Sequence, residues 1–203
     1  MKELLVATRN AGKVTEIQGL LQEYGVKVTS LWDYPDMPEI VEDGNTFEAN
    51  AAKKALIIAK HTGRIVMGED SGLEVKALDY RPGIYSARYS GEDATDEENN
   101  KKLLEELKHV PRSKRQARYR SFIALANPKG VIGVVDGKCT GLIAFEPKGT
   151  NGFGYDSLFI IPSYNKTFGQ LDPSIKAKIS HRARALWKFK LKFSKYLSED
   201  ALC

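Results

Sequence analysis

The chain has 203 residues, of which 42% are hydrophobic and 28% charged, and it carries a formal net charge of +5. Such proportions belong to a globular chain that can bury a core, as one large domain or one domain with two lobes; the mild cationic excess suits an anionic ligand without requiring one. Two cysteines, Cys139 and Cys203, exclude a disulfide framework and paired-cysteine zinc chemistry and point to a reducing compartment.

Near the start, Leu4-Leu5-Val6-Ala7 is a short apolar run, too short for a signal peptide or a membrane span and suited to a strand covered on both faces. A cytoplasmic protein without a membrane partner is therefore expected. The polar stretch Thr8 to Gly12 follows, and Val14, Ile17, Leu21 and Tyr24 then recur at helical spacing until Gly25 stops the helix. Val26 to Ser30 alternates as a strand does. A strand–helix–strand unit of this kind pairs its strands in parallel.

Trp32 to Gly44 reads as an acidic, proline-containing loop. An alanine-rich helix is expected next, capped by Asn45 with Glu48 as the reciprocal partner, and ending near Gly63. Ile65 to Met67 reads as a short buried strand that delivers Glu69, Asp70 and Ser71 just past its end. Thr95 and Glu98 form a capping box for a helix running to about Leu107. Gln116 to Ala126 and Val131 to Phe145 are β-rich, with a turn at Asn127-Pro128-Lys129-Gly130. Lys148 to Asp156 is a glycine-containing loop, Leu158 to Ile161 another strand, and the chain is helical from about Ser174 to Leu197 with a break near Ser180. Elements that alternate first and turn antiparallel later predict an α/β architecture, a mixed sheet flanked by helices, occupying the whole chain as a single domain.

Several groups could carry chemistry. Thr8-Arg9-Asn10-Ala11-Gly12-Lys13 lies between a strand and a helix, where unpaired backbone amides favour an anion and Lys13 adds a full charge. It is not a Walker loop, because the first glycine is missing and Val14 stands where Ser or Thr would hold magnesium. Glu42-Asp43-Gly44 and Glu69-Asp70 supply carboxylates; two or three suffice for magnesium, a hard cation that keeps several waters. On a strand, however, neighbouring Glu69 and Asp70 point to opposite faces. Asn50 and Lys54, four apart on the second helix, can reach one ligand, while Phe47, Ala51, Ala55 and Ile58 make the opposing, buried stripe. The Gly149-to-Asp156 loop can present Phe153 as a stacking surface for a flat base. Near the carboxyl end stand Lys176 and Ser180-His181-Arg182, donors suited to a purine O6/N7 edge. Lys188, Lys190, Lys192 and Lys195, interleaved with Trp187, Phe189, Leu191 and Phe193, read as an amphipathic helix with snorkelling lysines rather than a nucleic-acid patch.

Taken in order, these blocks resemble the inosine triphosphate pyrophosphatase, or Ham1, family. The matching text is Thr8-x-Asn10-x-x-Lys13, Glu42-x-Gly44-x-Thr46-Phe47 with Asn50 and Lys54, Asp70-Ser71-Gly72-Leu73, Pro82-Gly83-x-x-Ser86-Ala87-Arg88, Gly152-Phe153-Gly154-Tyr155-Asp156 and Ile179-Ser180-His181-Arg182. Glu69 and Ala49 stand where many bacterial relatives have Asp and Glu. The resemblance implies an elongated mixed sheet with a long cleft between two lobes, a homodimer, and magnesium-dependent hydrolysis of ITP, dITP and XTP to monophosphate and pyrophosphate. It places triphosphate binding on Thr8, Arg9, Asn10, Ala11, Gly12 and Lys13, metal ligation on Glu42 and Asp70, and proton acceptance on Asp70; Lys54, with Lys13, is a catalytic candidate for neutralising the triphosphate. Substrate contacts fall on Ser71, Phe153, Gly154, Tyr155, Asp156, Lys176, His181 and Arg182. Two other readings remain at this point: a Maf-like pyrophosphatase acting on pyrimidine or modified nucleotides, and a basic nucleic-acid-binding protein without catalysis.

Overall fold

The computed structural model describes residues 2–196; Cys203 and the expected helix end at Leu197 lie outside them. The fold is α/β, with a mixed seven-stranded sheet in the order β2-β1-β3-β4-β5-β6-β7. The strands are β1 (Lys2–Val6), β2 (Val26–Ser30), β3 (Val66–Val75), β4 (Gln116–Asn127), β5 (Gly130–Ile143), β6 (Phe159–Ile161) and β7 (Lys166–Thr167). The principal helices are α1 (Ala11–Leu21), α2 (Phe47–Thr62), α3 (Asp96–Glu106), α4 (Pro173–Ile179) and α5 (His181–Phe193). β1 pairs in parallel with both β2 and β3, whereas β6 is antiparallel to β5 and β7. No described helix is long and apolar enough to cross a membrane.

The chain divides into two compact units, with boundaries after Asp70 in β3, after Arg120 in β4, after Gly137 in β5 and after His181 at the start of α5. The first unit is a three-layer sandwich. On one face of its sheet, Leu4, Val6 and Met67 pack with Ile17 and Leu21 of α1 and Leu186 and Phe189 of α5. On the other face, Leu5, Ala7 and Val66 pack against Ala51, Ala55, Ile58 and Ala59 of α2. Successive strand residues enter opposite cores, which is why Leu4 to Ala7 is apolar throughout. The second unit holds its own core, built around Leu73, Leu103, Tyr119, Phe159 and Phe168.

Local signals explain most boundaries. Asn10 caps α1, its side-chain oxygen accepting from the Lys13 amide, and Gly25 takes a left-handed conformation after a 3-10 turn at Gln22–Tyr24. Thr95 and Glu98 close the expected capping box on α3. The turn after β4 is held by the Asn127 side chain, which accepts from the amides of Lys129 and Gly130. Ser180 separates α4 from α5.

Two expectations are corrected. Thr46, not Asn45, caps α2: its hydroxyl accepts from the Ala49 amide, so Glu48 is not placed to complete a capping box. The third strand does not stop at Met67 but runs to Val75, so Glu69, Asp70 and Ser71 lie within β3 rather than beyond it. Its polar middle passes for a loop in the sequence because the charges that satisfy it come from distant helices.

Candidate active site

In the first unit, β1, β2 and β3 point their carboxyl ends the same way, the position at which open α/β sheets bind ligands. β1 stops at Val6 while β3 continues, so Glu69 and Asp70 stand past the last β1–β3 pair, at Val6 and Met67. The Thr8–Lys13 stretch leaves β1 at the same end. The Thr8 hydroxyl accepts from the Asn10 amide, and the exposed Trp32 indole donates to the Arg9 carbonyl at 2.6 Å, which fixes the path of the turn. Ala11, Gly12 and Lys13 form the first turn of α1, whose amide groups have no partner inside the helix by position.

The strand's two-residue period separates the two acids. Asp70 shares the face of Val66 and Gly68, toward α2. A side-chain carbon on Gly68 would come within 2.1 Å of the Ala51 carbonyl and 2.8 Å of the Ala55 amide, so only glycine lets α2 lie this close. That approach brings Asn50 and Lys54, one helical turn apart, onto Asp70. Asn50 Nδ2 donates to Asp70 Oδ2 at 3.3 Å and Lys54 Nζ donates to Oδ1 at 3.1 Å. Asn50 Oδ1 in turn accepts from the Gly44 amide at 2.8 Å, which pins the loop carrying Glu42. Glu42 Oε2 lies 3.0 Å from the same Lys54 ammonium. Asn50 and Lys54 are themselves buried, alongside the apolar stripe rather than opposite it.

Two carboxylates therefore share one ammonium. Burial works hardest against the charged Asp70, and the neighbouring Glu42 and Glu69 add to it, so its pKa is raised despite Lys54 and Lys13. Burial also opposes the Glu42 charge, but Lys54 and Lys13 outweigh it and its pKa is lowered. For Lys54, burial is outweighed by Asp70 and Glu42, and its pKa is raised. The surplus negative charge on Glu42 and Asp70, all of it on hard oxygens, is a donor set that fits a divalent cation such as magnesium holding most of its shell as water and phosphate oxygen. Among the described residues, no group of three or more His, Cys, Asp or Glu could hold a metal ion.

Glu69 enters the opposite layer, on the face of Met67, and is fully buried. Lys13 Nζ lies 2.8 Å from Oε2, Arg182 Nη2 lies 3.3 Å from Oε1, and the Ser121 hydroxyl donates to Oε1 at 2.8 Å. Burial alone would raise its pKa; Arg182 and Lys13, with the Lys13 and Ser121 hydrogen bonds, reverse that and hold the carboxyl far below its usual range. Arg182 also pairs with Glu16 of α1. Glu69 thus anchors Lys13 and Arg182 on the α1/α5 side, while Asp70 organises the α2 side.

The second unit carries the remaining predicted positions. Asp156 folds back inside its own loop, accepting from the Phe153 amide at 3.0 Å and from the Lys176 ammonium. Gly152 permits this: at its φ of 80°, a side-chain carbon would meet the Asp156 carboxylate at 2.1 Å. Lys176 lies 4.8 Å from the Phe153 ring centroid, a cation held over an aromatic face. Tyr155 is buried and donates to the Ser86 carbonyl at 2.8 Å, and burial raises its pKa. The Ser86 hydroxyl accepts from the Leu73 amide and donates to the Gly83 carbonyl, so the Pro82-to-Arg88 block braces the loop from behind. The His181 ring stacks on Tyr119 with centroids 4.6 Å apart. Ser71 is half-buried on β3.

Sequence reasoning missed Glu16 and Ser121. Glu16 falls three residues after Lys13, a spacing that puts both on one helix face; Ser121 offers no such signal.

A model of the Ham1 family matches residues 4–192. The chain belongs to the Ham1 family. It is 50% identical over 197 residues to a dITP/XTP pyrophosphatase of Exiguobacterium sibiricum, covering 97% of this chain and 100% of that relative. A dITP/XTP pyrophosphatase of Geobacter sulfurreducens is 50% identical, with 92% of this chain and 94% of the relative covered. The solved structure of a HAM1 protein from Coxiella burnetii superposes with a TM-score of 0.86 at 39% identity, covering 96% of this chain and all of that one. Membership in the Ham1 family decides against the Maf-like alternative.

Proposed function

We propose that this Ham1-family chain is a nucleoside-triphosphate pyrophosphatase that hydrolyses non-standard purine nucleotides, dITP, ITP and XTP, to the monophosphate and pyrophosphate. The observation that carries the reading is the group of buried Asp70 and Lys54 with half-buried Glu42 at the carboxyl ends of three parallel strands, with Lys13 in the first turn of α1. It is supported by 50% identity, over nearly the whole chain, to relatives named dITP/XTP pyrophosphatase. Glu42 and Asp70 are the residues to hold magnesium, which when bound neutralises phosphate oxygens and lowers the pKa of water.

In the proposed reaction, water attacks the α-phosphorus, a new P–O bond forms, and the bond from that phosphorus to the bridging oxygen of the β-phosphate breaks, releasing pyrophosphate. Asp70 takes the water proton at a carboxylate oxygen. Asn50 and Lys54 fix the direction of that carboxylate. The α1 amides of Ala11 and Gly12, with Thr8, Arg9 and Asn10, bind phosphate oxygens, and the Lys13 and Lys54 ammonium groups offset charge that grows on the leaving pyrophosphate. Phe153, Lys176 and His181, with Ser71, Gly154, Tyr155 and Asp156, serve base selection: oxygen at purine position 6 rewards a donor, which the amino group of adenine cannot. A cytoplasmic homodimer acting on free nucleotides is the form we assign.

Pyrophosphate release from ITP, XTP, GTP, dTTP and UTP, with and without magnesium, tests the proposal. ITP and XTP should lead by orders of magnitude, and only with the metal; equal rates on UTP would end it.

A further inference from the structure

Between the phosphate chemistry and the aromatic loop, one set of contacts in the second unit is accounted for by neither. Gly154 follows Phe153 in the loop, and both of its backbone polar groups are held by α3. Its amide donates to Asp96 Oδ2 at 2.5 Å, and its carbonyl accepts from Asn100 Nδ2 at 3.0 Å. Asp96 and Asn100 are four apart, so one face of α3 grips one residue at both ends. Asp96 is the first residue of α3 and follows Thr95, whose capping box with Glu98 fixes the helix end from which Asp96 reaches.

The Asn100 side of the grip is not explained by folding alone. Asn100 is buried, and its Oδ1 has no hydrogen-bond partner among the described residues. A buried unsatisfied acceptor is a stability cost that an apolar residue there would avoid. The Asp96 side is exposed, where a lone contact between a carboxylate and a loop amide adds little to stability.

We infer that Asp96 and Asn100 are positioning residues for nucleobase recognition: by clamping the Gly154 peptide groups, α3 sets the Phe153 ring in its binding orientation before the nucleotide arrives. The inference rests on the proposed base-binding role of the Phe153 loop and names the part that presets it. The Phe153 amide bond to Asp156 and the Lys176 ammonium over the ring fix the loop from one side; the clamp fixes the next residue from the other. Ordering a residue's backbone in advance means that freedom is not lost on binding, so the clamp acts on affinity and leaves the phosphate chemistry to the first unit.

The test is a steady-state comparison with ITP of the full-length protein and the variants Asp96→Ala, Asp96→Asn, Phe153→Ala and Asp96→Ala/Phe153→Ala, each checked by thermal melting. Asp96→Ala should raise KM roughly tenfold, about what one pre-ordered residue contributes, with kcat within about twofold and Tm unchanged. Asp96→Asn keeps an acceptor for the Gly154 amide and should recover most of the lost affinity. In the Phe153→Ala background, the Asp96→Ala change should add nothing. If Phe153→Ala raises KM but Asp96→Ala does not, or if Asp96→Ala lowers kcat and Tm together, the clamp is refuted while the base-binding role of Phe153 stands. If Phe153→Ala itself leaves KM unchanged, the base-binding reading fails and the inference falls with it.

Discussion

Replacing Asp70 with Asn separates chemistry from stability more sharply than any other change in this protein. The side chains are nearly isosteric, so the effect on folding can be counted contact by contact. The introduced amide would keep an oxygen for the Lys54 ammonium, now 3.1 Å from Asp70 Oδ1, and Lys54 would keep Glu42 at 3.0 Å. The loss is on the other side: an amide nitrogen would face Asn50 Nδ2, 3.3 Å away, and Asn50 cannot turn over without releasing the Gly44 amide. That mismatch costs about 1 kcal/mol. Against it stands the raised pKa of Asp70, due first to burial. An acid with a folded pKa above its unfolded value costs stability once the pH has risen through both, and an uncharged amide removes that cost. The net change at neutral pH should therefore lie within about 1–2 kcal/mol of zero. Turnover is different, because on the proposed mechanism the variant has no group to take the water proton and one fewer charged ligand for the metal; a loss of about 10²- to 10⁴-fold is expected from the base alone. Denaturant unfolding and pyrophosphate release on the same preparation measure the two quantities. Near-normal turnover, or a collapse of stability by several kcal/mol, would refute the reasoning from opposite ends.

Gly68→Ala should disturb the same site through packing, since its new carbon would lie 2.1 Å from the Ala51 carbonyl and backbone must move; a loss of about 1–3 kcal/mol in denaturant unfolding is expected, with reduced turnover as α2 carries Lys54 and Asn50 away. Glu69→Gln should change the acid limb of stability. The folded-state pKa of Glu69 is depressed, so its stabilisation is complete above its ordinary value of 4.5 and is lost as pH falls toward the folded value; unfolding curves between about pH 5 and pH 3 should be shallower in the variant than in the unmodified protein. Trp32, exposed and bonded to the Arg9 carbonyl, should report anions at the Thr8–Lys13 turn. Pyrophosphate should change the protein's tryptophan emission, Trp32→Phe should abolish the response and Trp187→Phe should keep it; a response that survives Trp32→Phe would place the anion elsewhere.

The parts of the fold that were legible share a cause: each is specified by neighbours in sequence. Leu4 to Ala7, the Asn10 turn, the Gly25 stop, the Thr95–Glu98 box and the break at Ser180 are decided within a few residues, and periodicity and capping chemistry find them. The middle of β3 is decided elsewhere. Gly-Glu-Asp-Ser-Gly has the composition of a turn, and it is a buried strand only because Lys54 and Asn50 come from α2 while Lys13, Ser121 and Arg182 come from three other elements. The misplaced cap of α2 is a smaller error, since Asn45 and Thr46 are both good caps and only the backbone says which hydroxyl or amide faces the Ala49 amide.

The same division runs through the site. Motifs name Asp70, Lys54, Glu42 and Lys13 as candidates, and one rule of strand geometry, that neighbours face opposite ways, separates Glu69 from Asp70 in the sequence; which cations meet each acid is not legible there. Applied to Glu69 and Asp70, the rule sends one acid to each face of the sheet. The environments then set their chemistry: Glu69, met by two cations and a hydroxyl, is fixed as an anion, while Asp70, sharing one ammonium with Glu42, is left the more basic of the two. Exchanging the two neighbours' roles would take more than a local change, because the cations that hold Glu69 belong to α1 and α5 and the one bonded to Asp70 belongs to α2. The acid we propose as proton acceptor is the buried one that the fold leaves short of positive charge, and that shortage is also what makes the pair with Glu42 fit for a divalent ion.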